Sequence, residues 1–498
     1  MWLRLLLPVA LLWSISKLYT AFFGPLCRYP GPLLNKLTSL PYVRVVSTGK
    51  EATTIRQWHD KYGPVVRVAP NRLSYVGFPE TWADICGVGA KSNQPGLPKD
   101  PAWYEETLYG TPNLVMCTDE DHRRQRRIFG RAFSEKALRD QEPLLRRWAS
   151  ALYYKLLEKS AGGASLDMLK MFNCTTFDIM ADLCFAEPLY MLENTTYAPW
   201  VEAVFSMLKQ LTLLRAVRYI HPVCLWLVRV VCRNIPAIQN EYVKHWNYTA
   251  ERVDRRLAST PDRPDLLTEV LSMTSEDKDE RSEELKLQEL YVNAQTFMLA
   301  GTETTATVLS AVTFYLLSNP DMMTRLRTEI RNTFATIDDL HLDPLANKCQ
   351  YMNACLKEAL RFHPPIPIGL PRLTPAEGAT INGQFVPGGT SVFVHQTATY
   401  RSALLWKDPD SFRPERWLDG SKEYENDKRD SMEPFSFGPR NCIGKNLAWH
   451  EMRLLLAAVT LHFDIDLCEE SSNWADQEVY SLWEKHPLHV KLRPVDSS

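Results

Sequence analysis

The stretch Phe435-Ser436-Phe437-Gly438-Pro439-Arg440-Asn441-Cys442-Ile443-Gly444 decides how this chain is read. Glycines and a proline so close together make a tight loop. The apolar periodicity from Leu447 to Leu461 starts a helix just after Cys442. A thiol at a helix N-terminus faces unpaired N–H groups and the positive end of the helix dipole, which favours its thiolate. Gly444 removes a side chain where the backbone would approach a flat ligand closely. Arg440 places a cation two residues from the sulfur, on the side suited to a ligand carboxylate. A lone cysteine in such a loop is ordinarily buried and inert, so the argument for a ligand rests on the whole constellation.

Three other segments carry unusual chemistry. Leu287 to Ser318 reads as a long apolar helix ending at Asn319-Pro320, with Ala300-Gly301-Thr302-Glu303-Thr304-Thr305 at its centre. Glycine inside a helix costs about 1 kcal/mol relative to alanine, and hydroxyls there compete for backbone carbonyls. A polar, weakened turn in an apolar helix therefore needs a reason. Glu358 and Arg361, three residues apart before His363-Pro364-Pro365, share one helix face. Alone, such a pair is usually a surface bridge worth at most about 1 kcal/mol. His122-Arg123-Arg124-Gln125-Arg126-Arg127 is a basic run preceding Phe129, Ala132 and Phe133.

Together these segments resemble the cytochrome P-450 superfamily, whose haem-ligand loop is Phe-x-x-Gly-x-Arg-x-Cys-x-Gly. Phe435, Gly438, Arg440, Cys442 and Gly444 fill every fixed position, and further matches cover most of the chain after residue 60. The resemblance implies a mainly α (α+β) fold, a helix-rich triangular domain with small β-sheets and a haem between the long central helix and the cysteine loop. It implies haem b held through the Cys442 thiolate, the axial ligand of the iron, which pushes electron density toward O–O cleavage. Ala300 and Gly301 then lie against the cofactor's distal face, where a local kink opens a groove for dioxygen. Thr304 gives a hydrogen bond in oxygen activation, and Glu303 helps bring protons from solvent.

The family commonly has Trp-x-x-x-Arg on a haem propionate. Here His122 and Arg126 stand at that spacing, so Arg126 carries over while His122 keeps only one N–H to donate. Arg372 and Arg440 resemble the other propionate partners, charge-assisted donors that fix the cofactor's orientation. Glu358 and Arg361 are implied to join Arg416, in Phe412-Arg413-Pro414-Glu415-Arg416-Trp417, in a buried network behind the haem. Trp417 replaces the more usual phenylalanine, a change expected to affect packing rather than chemistry. Arg123, Arg124, Arg127 and Arg131 with Lys445 are expected on the proximal surface, either docking an acidic reductase or forming a solvated basic face. The implied electron source is NADPH through NADPH-cytochrome P-450 reductase, with cytochrome b5 as an optional second donor.

The chain has 498 residues, 45% hydrophobic and 23% charged, with a formal net charge of -2. That balance argues against nucleic-acid binding. Its 11 cysteines form no CxxC pair, so neither a disulfide framework nor a zinc site is indicated. Residues 1–23 are apolar but for Arg4, Pro8, Ser14, Ser16 and Lys17, and qualify as a membrane anchor only if Lys17 snorkels. A cleavable signal peptide competes with this reading, although no small-x-small site follows cleanly. The expected organisation is an anchor over 1–23, a Pro/Gly-containing linker over 24–40 and a catalytic domain over 41–498. The expected location is the endoplasmic reticulum membrane, with the catalytic domain facing the cytosol.

Short strands are expected at Val65–Ala69, Leu73–Val76, within Thr380–Val394 and around Tyr480–Leu492, and an exposed charged loop over Ser275–Glu284. By the family's layout, the pocket draws on residues 93–113, the helices near 200–214, Phe297, Ala300, Thr304, Ile366 to Leu370 and the tip near 480–482. Its apolar character implies a hydrophobic small-molecule substrate. The stretch from Trp58 to Asn71 resembles fungal members that tailor terpenoid or polyketide natural products. A P-450-type isomerase or dehydratase, a fatty-acid or xenobiotic hydroxylase and a non-enzymatic haem sensor are the alternatives. Glu303-Thr304 argues against the isomerase, and a sensor needs no proton delivery.

Overall fold

The computed structural model describes residues 15–87, 96–104, 111–197, 199–219, 236–261, 263–276 and 287–495. Its strands are β1 (Val65–Ala69), β2 (Arg72–Tyr75), β3 (Leu166–Asp167), β4 (Arg372–Leu373), β5 (Ala379–Ile381), β6 (Gln384–Val386), β7 (Ser391–Val394), β8 (Phe463–Leu467), β9 (Glu478–Tyr480), β10 (Leu482–Glu484) and β11 (His489–Pro494). The turn at Gly63-Pro64 feeds β1, which pairs antiparallel with β2, Val65 opposite Tyr75. β2 runs parallel to β7, and β7 takes β4 on its other edge, giving the order β1-β2-β7-β4. The remaining strands form the β5–β6 and β9–β10 hairpins and the β3-β11-β8 sheet. β1, β2, β5 to β7 and β9 to β11 fall in or beside the expected strand regions, whereas β3, β4 and β8 were not expected; Pro387-Gly388-Gly389 turns the chain between β6 and β7.

Six helices position the site: α1 (Asp119–Ala132), α2 (Met168–Phe185), α3 (Pro199–Arg218), α4 (Leu287–Leu317), α5 (Gln350–Phe362) and α6 (Lys445–His462). α1 begins where the Thr118 hydroxyl accepts the Asp121 N–H, and Asp119, Glu120 and Asp121 favour the positive end of its dipole. α2 is buried at every residue but Lys170, its polar side chains Asn173, Thr175, Thr176, Asp178 and Asp182 included. It lies along α4, whose 31 residues span about 46 Å at 1.5 Å each. One large core cluster joins residues of α1, α2, α4, α5 and α6. α6 starts at Gly444 with no side-chain cap, which leaves its first N–H groups facing the cysteine loop.

Of the two expectations about the N-terminal part, the anchor falls largely outside the described residues and the linker changes. Residues 1–14 of the expected anchor lie outside the described residues, residues 15–22 are helical, and no helix among the described residues is long and apolar enough to cross a membrane. The stretch 24–40, expected as a linker, is instead packed onto the first sheet. Tyr29 and Asn35 are buried, the Asn35 amide donates to the Val68 carbonyl at 2.9 Å, and Arg67 donates to the Leu26 carbonyl at 3.2 Å. Most of the charged run expected as a loop, residues 277–284, lies outside the described residues, and residues 275 and 276 end a helix.

Candidate active site

The cysteine loop is closed by the Cys442 N–H donating to the Phe435 carbonyl at 2.8 Å. Gly438 sits at φ +76°, and a Cβ there would fall 2.2 Å from the Cys86 carbonyl oxygen, so only glycine fits. Gly444 is different: a Cβ built on it meets nothing within 4 Å, so the loop is open on that side and suits a flat ligand. Phe435 packs near Trp449, ring centroids 6.2 Å apart, with the Lys445 ammonium over its face. Cys442 is exposed, yet it opens into the interior, where burial pushes its thiol up. The Gly444 N–H, Arg126 and Lys445 pull the other way without outweighing that burial. The helix N-terminus expected to favour the thiolate is therefore not enough by itself.

A cluster of basic groups stands beside this loop. An isolated bridge pairs Lys99 with Arg372 in β4, and Lys99 donates to the Val115 carbonyl. Burial, then Arg440 and Arg372, lowers the Lys99 ammonium to about 6. Burial, then Arg440, Arg126 and Lys99, lowers His122 to about 3. Asp119 is the one carboxylate among the main charge partners of both groups. The Arg372 Nη1 donates to the Leu97 carbonyl at 3.2 Å, while its buried Nε has no hydrogen-bond partner. Basic groups discharged by burial and by their cationic neighbours, with a buried arginine donor left over, fit a ligand bearing carboxylates, which would restore their protons.

Two of the expected propionate partners are partly committed to the protein. Arg126 donates to the Asn441 carbonyl at 2.6 Å and to Asn441 Oδ1 at 2.8 Å, tying α1 to the cysteine loop. Arg440 donates to Asp119 at 2.9 and 2.7 Å and to the Cys117 carbonyl at 2.8 Å. Both therefore brace the site as well as lend it charge. Arg124 is a correction: it pairs with Glu289 at 2.5 Å and is 10% exposed, because α1 turns it toward α4. Arg123, Arg127, Arg131 and Lys445 are exposed, as a surface reading requires.

The polar turn of α4 keeps only part of its expected form. Thr302, Thr304 and Thr307 hydroxyls donate to the carbonyls of Met298, Ala300 and Glu303 at 2.8, 2.8 and 2.7 Å. α4 is helical at every residue, and these hydroxyls bond back to carbonyls of the preceding turn, the bonding that often bends a helix. Ala300 is exposed and Thr304 half-buried, so this face of the helix is open. Gly301, expected against the cofactor, also meets α2; a Cβ there would lie 2.6 Å from Met180 Sδ, so the glycine serves a close helix–helix approach. Phe297, expected in the pocket, spends its ring on Phe129 and Phe133 at 5.1 and 5.2 Å. Glu303 is buried and paired with Lys485 at 2.6 Å, so it does not reach solvent directly.

Behind the cysteine loop, Glu358, Arg361 and Arg416 are fully buried together. Arg361 donates to both Glu358 oxygens at 2.9 and 2.7 Å, and Arg416 to Oε1 at 3.1 Å. Arg416 also pairs with Asp427. Trp417 corrects its expectation: its indole N–H donates to Glu358 Oε2 at 2.9 Å, so it enters the chemistry of the network.

Sequence reasoning missed Lys99, Lys485, Asp427 and this role of Trp417. The indole N–H of a tryptophan beside a known network was the one available signal. The expected pocket segments partly converge, since Trp103, Ile366, Ile368, Val479 and Trp483 share one apolar cluster. Residues 93–95 and 105–110, and the side chains of 199, 200 and 202–208, lie outside those described.

An open cysteine at a helix start, a bank of basic groups and a hydroxyl-bearing helix turn suit a class of protein that holds a flat, anionic cofactor by sulfur. The family model described as Cytochrome P450 matches residues 30–492, and the chain belongs to that family. Cytochrome P450 monooxygenase efuB of Hormonema carpetanum is 44% identical over 482 residues, 96% of this chain and 94% of the relative. Cytochrome P450 monooxygenase FUM2 of Gibberella moniliformis is 41% identical over 483 residues, 95% of this chain and 99% of the relative. AMT3 of Alternaria alternata, a third monooxygenase of the family, is 37% identical over 491 residues, 96% of each chain. The expected fold and the monooxygenase class are both upheld.

Proposed function

We propose that this chain uses haem b and dioxygen to hydroxylate or epoxidise a hydrophobic small molecule, a terpenoid or polyketide intermediate of fungal secondary metabolism. Its similarity to fungal monooxygenases supports the setting, and the apolar cluster of Trp103, Ile366, Ile368, Val479 and Trp483 supports the substrate class. The observation that carries the reading is the bank of Lys99, His122, Arg126, Arg372 and Arg440 beside an open Cys442. Cys442 would supply the sulfur ligand, and Lys99, His122 and Arg372, with what Arg126 and Arg440 have left, would hold the propionates. When bound, the haem supplies the iron centre at which dioxygen is activated.

The chain's own residues hold, shield and feed that centre. Gly438 and Gly444 give the loop its shape, and Arg126 ties it to α1 through Asn441. Ala300 keeps the open face of α4 free of bulk. The Thr304 hydroxyl donates to the Ala300 carbonyl at 2.8 Å, and a rotation about χ1 redirects its proton to the open face. Glu303, one residue earlier, is the acid that restores that proton. Electrons come from NADPH through a reductase docked on the exposed Arg123, Arg127, Arg131 and Lys445, with cytochrome b5 as a second donor. Attachment to the endoplasmic reticulum membrane is supported by the apolar segment 1–23 and by exposed Leu18, Phe22, Phe23, Leu33 and Leu34.

The test is a spectrum of the purified full chain, reduced and treated with carbon monoxide. The wild type is expected to give the band shift of thiolate ligation, and Cys442→Ala to lose it. No such shift in the wild type, or its survival in Cys442→Ala, overturns the reading.

A further inference from the structure

Lys485 follows the β9–β10 hairpin and has no motif in common with α4. Yet its Nζ pairs with Glu303 Oε1 at 2.6 Å and donates to Thr307 Oγ1 at 3.0 Å. The two charged side chains are 5% and 7% exposed. The Thr307 hydroxyl donates in turn to the Glu303 carbonyl at 2.7 Å, so the ammonium grips one turn of α4 at two points. The other carboxylate oxygen, Glu303 Oε2, is buried without a hydrogen-bond partner. A carboxylate with one oxygen engaged by a cation and the other bare has a single orientation and one free acceptor.

The hairpin that presents Lys485 is fixed from two sides. Its tip residue Ser481 shares a 2.8 Å hydrogen bond with Thr212 of α3, and Glu484 pairs with Lys209 at 2.6 Å. On the other side the Trp483 indole donates to the Pro364 carbonyl at 2.7 Å. The lysine thus follows directly on a braced hairpin, which limits where its ammonium can reach. Holding a charged pair in a nearly dry interior costs desolvation, so its retention at this turn calls for a role.

We propose that Lys485 is the positioning residue of Glu303. It pins Oε1 and balances the charge, so that Oε2 is the atom that takes up protons and passes them to Thr304. The proposal rests on the proton-delivering role given above to Glu303 and Thr304. The proton count closes: Thr304 gives its hydroxyl proton forward, regains one from Glu303 Oε2, and Glu303 is reprotonated from solvent. Lys485 remains an ammonium throughout and touches no reacting atom.

The test is a double-mutant cycle of Lys485→Met, Glu303→Gln and the pair, in the full haem-loaded chain with reductase and NADPH and no added substrate. Two quantities are read: the share of consumed oxygen released as hydrogen peroxide instead of water, and the midpoint of thermal unfolding. Lys485→Met is expected to raise the peroxide share several-fold, toward the Glu303→Gln value, and Lys485→Arg to restore it. In the Glu303→Gln background, Lys485→Met should add nothing to the peroxide share and lower the midpoint less than it does alone. An unchanged peroxide share in Lys485→Met, or an equal rise with and without Glu303, overturns the proposal. A wild type lacking the thiolate band sinks the underlying reading, whereas a normal band with an additive cycle sinks only the role of Lys485.

Discussion

Glu358 and Glu303 are both buried carboxylates facing cations, and the fold treats them in opposite ways. Glu358 accepts from Arg361 twice, from Arg416, from the Arg413 backbone N–H at 2.7 Å and from the Trp417 indole. No lone pair with a reachable donor is left idle. Glu303 has one cation on one oxygen and nothing on the other. A fully satisfied buried network rigidifies what surrounds it, while a half-satisfied one is expensive and persists where a free acceptor is useful. The difference separates scaffold from working part: the Glu358 network clamps the end of α5 to the segment around Arg416, and Glu303 keeps an oxygen available on α4.

The hardest blow to that comparison falls on the scaffold. Glu358→Gln leaves the Arg361 and Arg416 guanidinium groups buried without their carboxylate, although Arg416 keeps Asp427. Removing one partner of a buried ion pair typically costs about 3 to 5 kcal/mol, so the variant is expected to unfold at clearly lower urea or to accumulate poorly. Urea unfolding followed by tryptophan fluorescence measures it. A loss below about 1 kcal/mol would put Glu358 among ordinary surface-type pairs and erase the contrast with Glu303.

What was legible in the sequence follows the reach of each contact. The cysteine loop and the Glu358–Arg361 pair are written at short, fixed spacing, and the structure places them as expected. Arg416 was reached only through the resemblance, since its partner lies 58 residues away. Lys485 meets Thr307 across 178 residues, and nothing local marks either end. Gly301 was visible as an odd residue in a helix, but the reason for it is Met180 on α2, which no periodicity reveals. The threonines at 302, 304 and 307 were visible as hydroxyls in an apolar helix, and each bonds to a backbone carbonyl three or four residues earlier, a contact short enough to read from spacing.

A third carboxyl sharpens the contrast. Glu451 on α6 is buried against Thr305 of α4, and burial pushes it up to about 8 from an ordinary 4.5. The folded chain then keeps a proton that the unfolded chain loses, so stability falls as pH rises between about 4.5 and about 8 and is level outside that window. By about pH 7 the loss is roughly 3 kcal/mol. Glu451→Gln stays neutral and should remove that part of the slope, as seen in urea midpoints measured at several pH values from about 5 to about 8. Identical slopes in both proteins would mean that Glu451 is ionised and paired, which would place it with Glu358.

The smallest expected effect asks how complete the Glu358 network has to be. Trp417→Phe restores the residue more usual in the family and deletes a single donor to Glu358 Oε2, whose other partner is the Arg361 Nε at 2.9 Å. A hydrogen bond to a charged acceptor contributes about 1.5 to 3 kcal/mol, and one remaining strong donor on the same oxygen keeps the loss toward the low end. The indole ring also packs at 5.7 Å from Trp406, so some of any loss belongs to packing. Trp417→Leu separates the two, because it removes ring and donor together. If Trp417→Phe already accounts for most of the Trp417→Leu loss in urea midpoint, the N–H is what matters and the network needs its fifth donor. If Trp417→Phe costs nothing, packing alone explains the tryptophan, and Glu358 is saturated by the arginines and the Arg413 N–H.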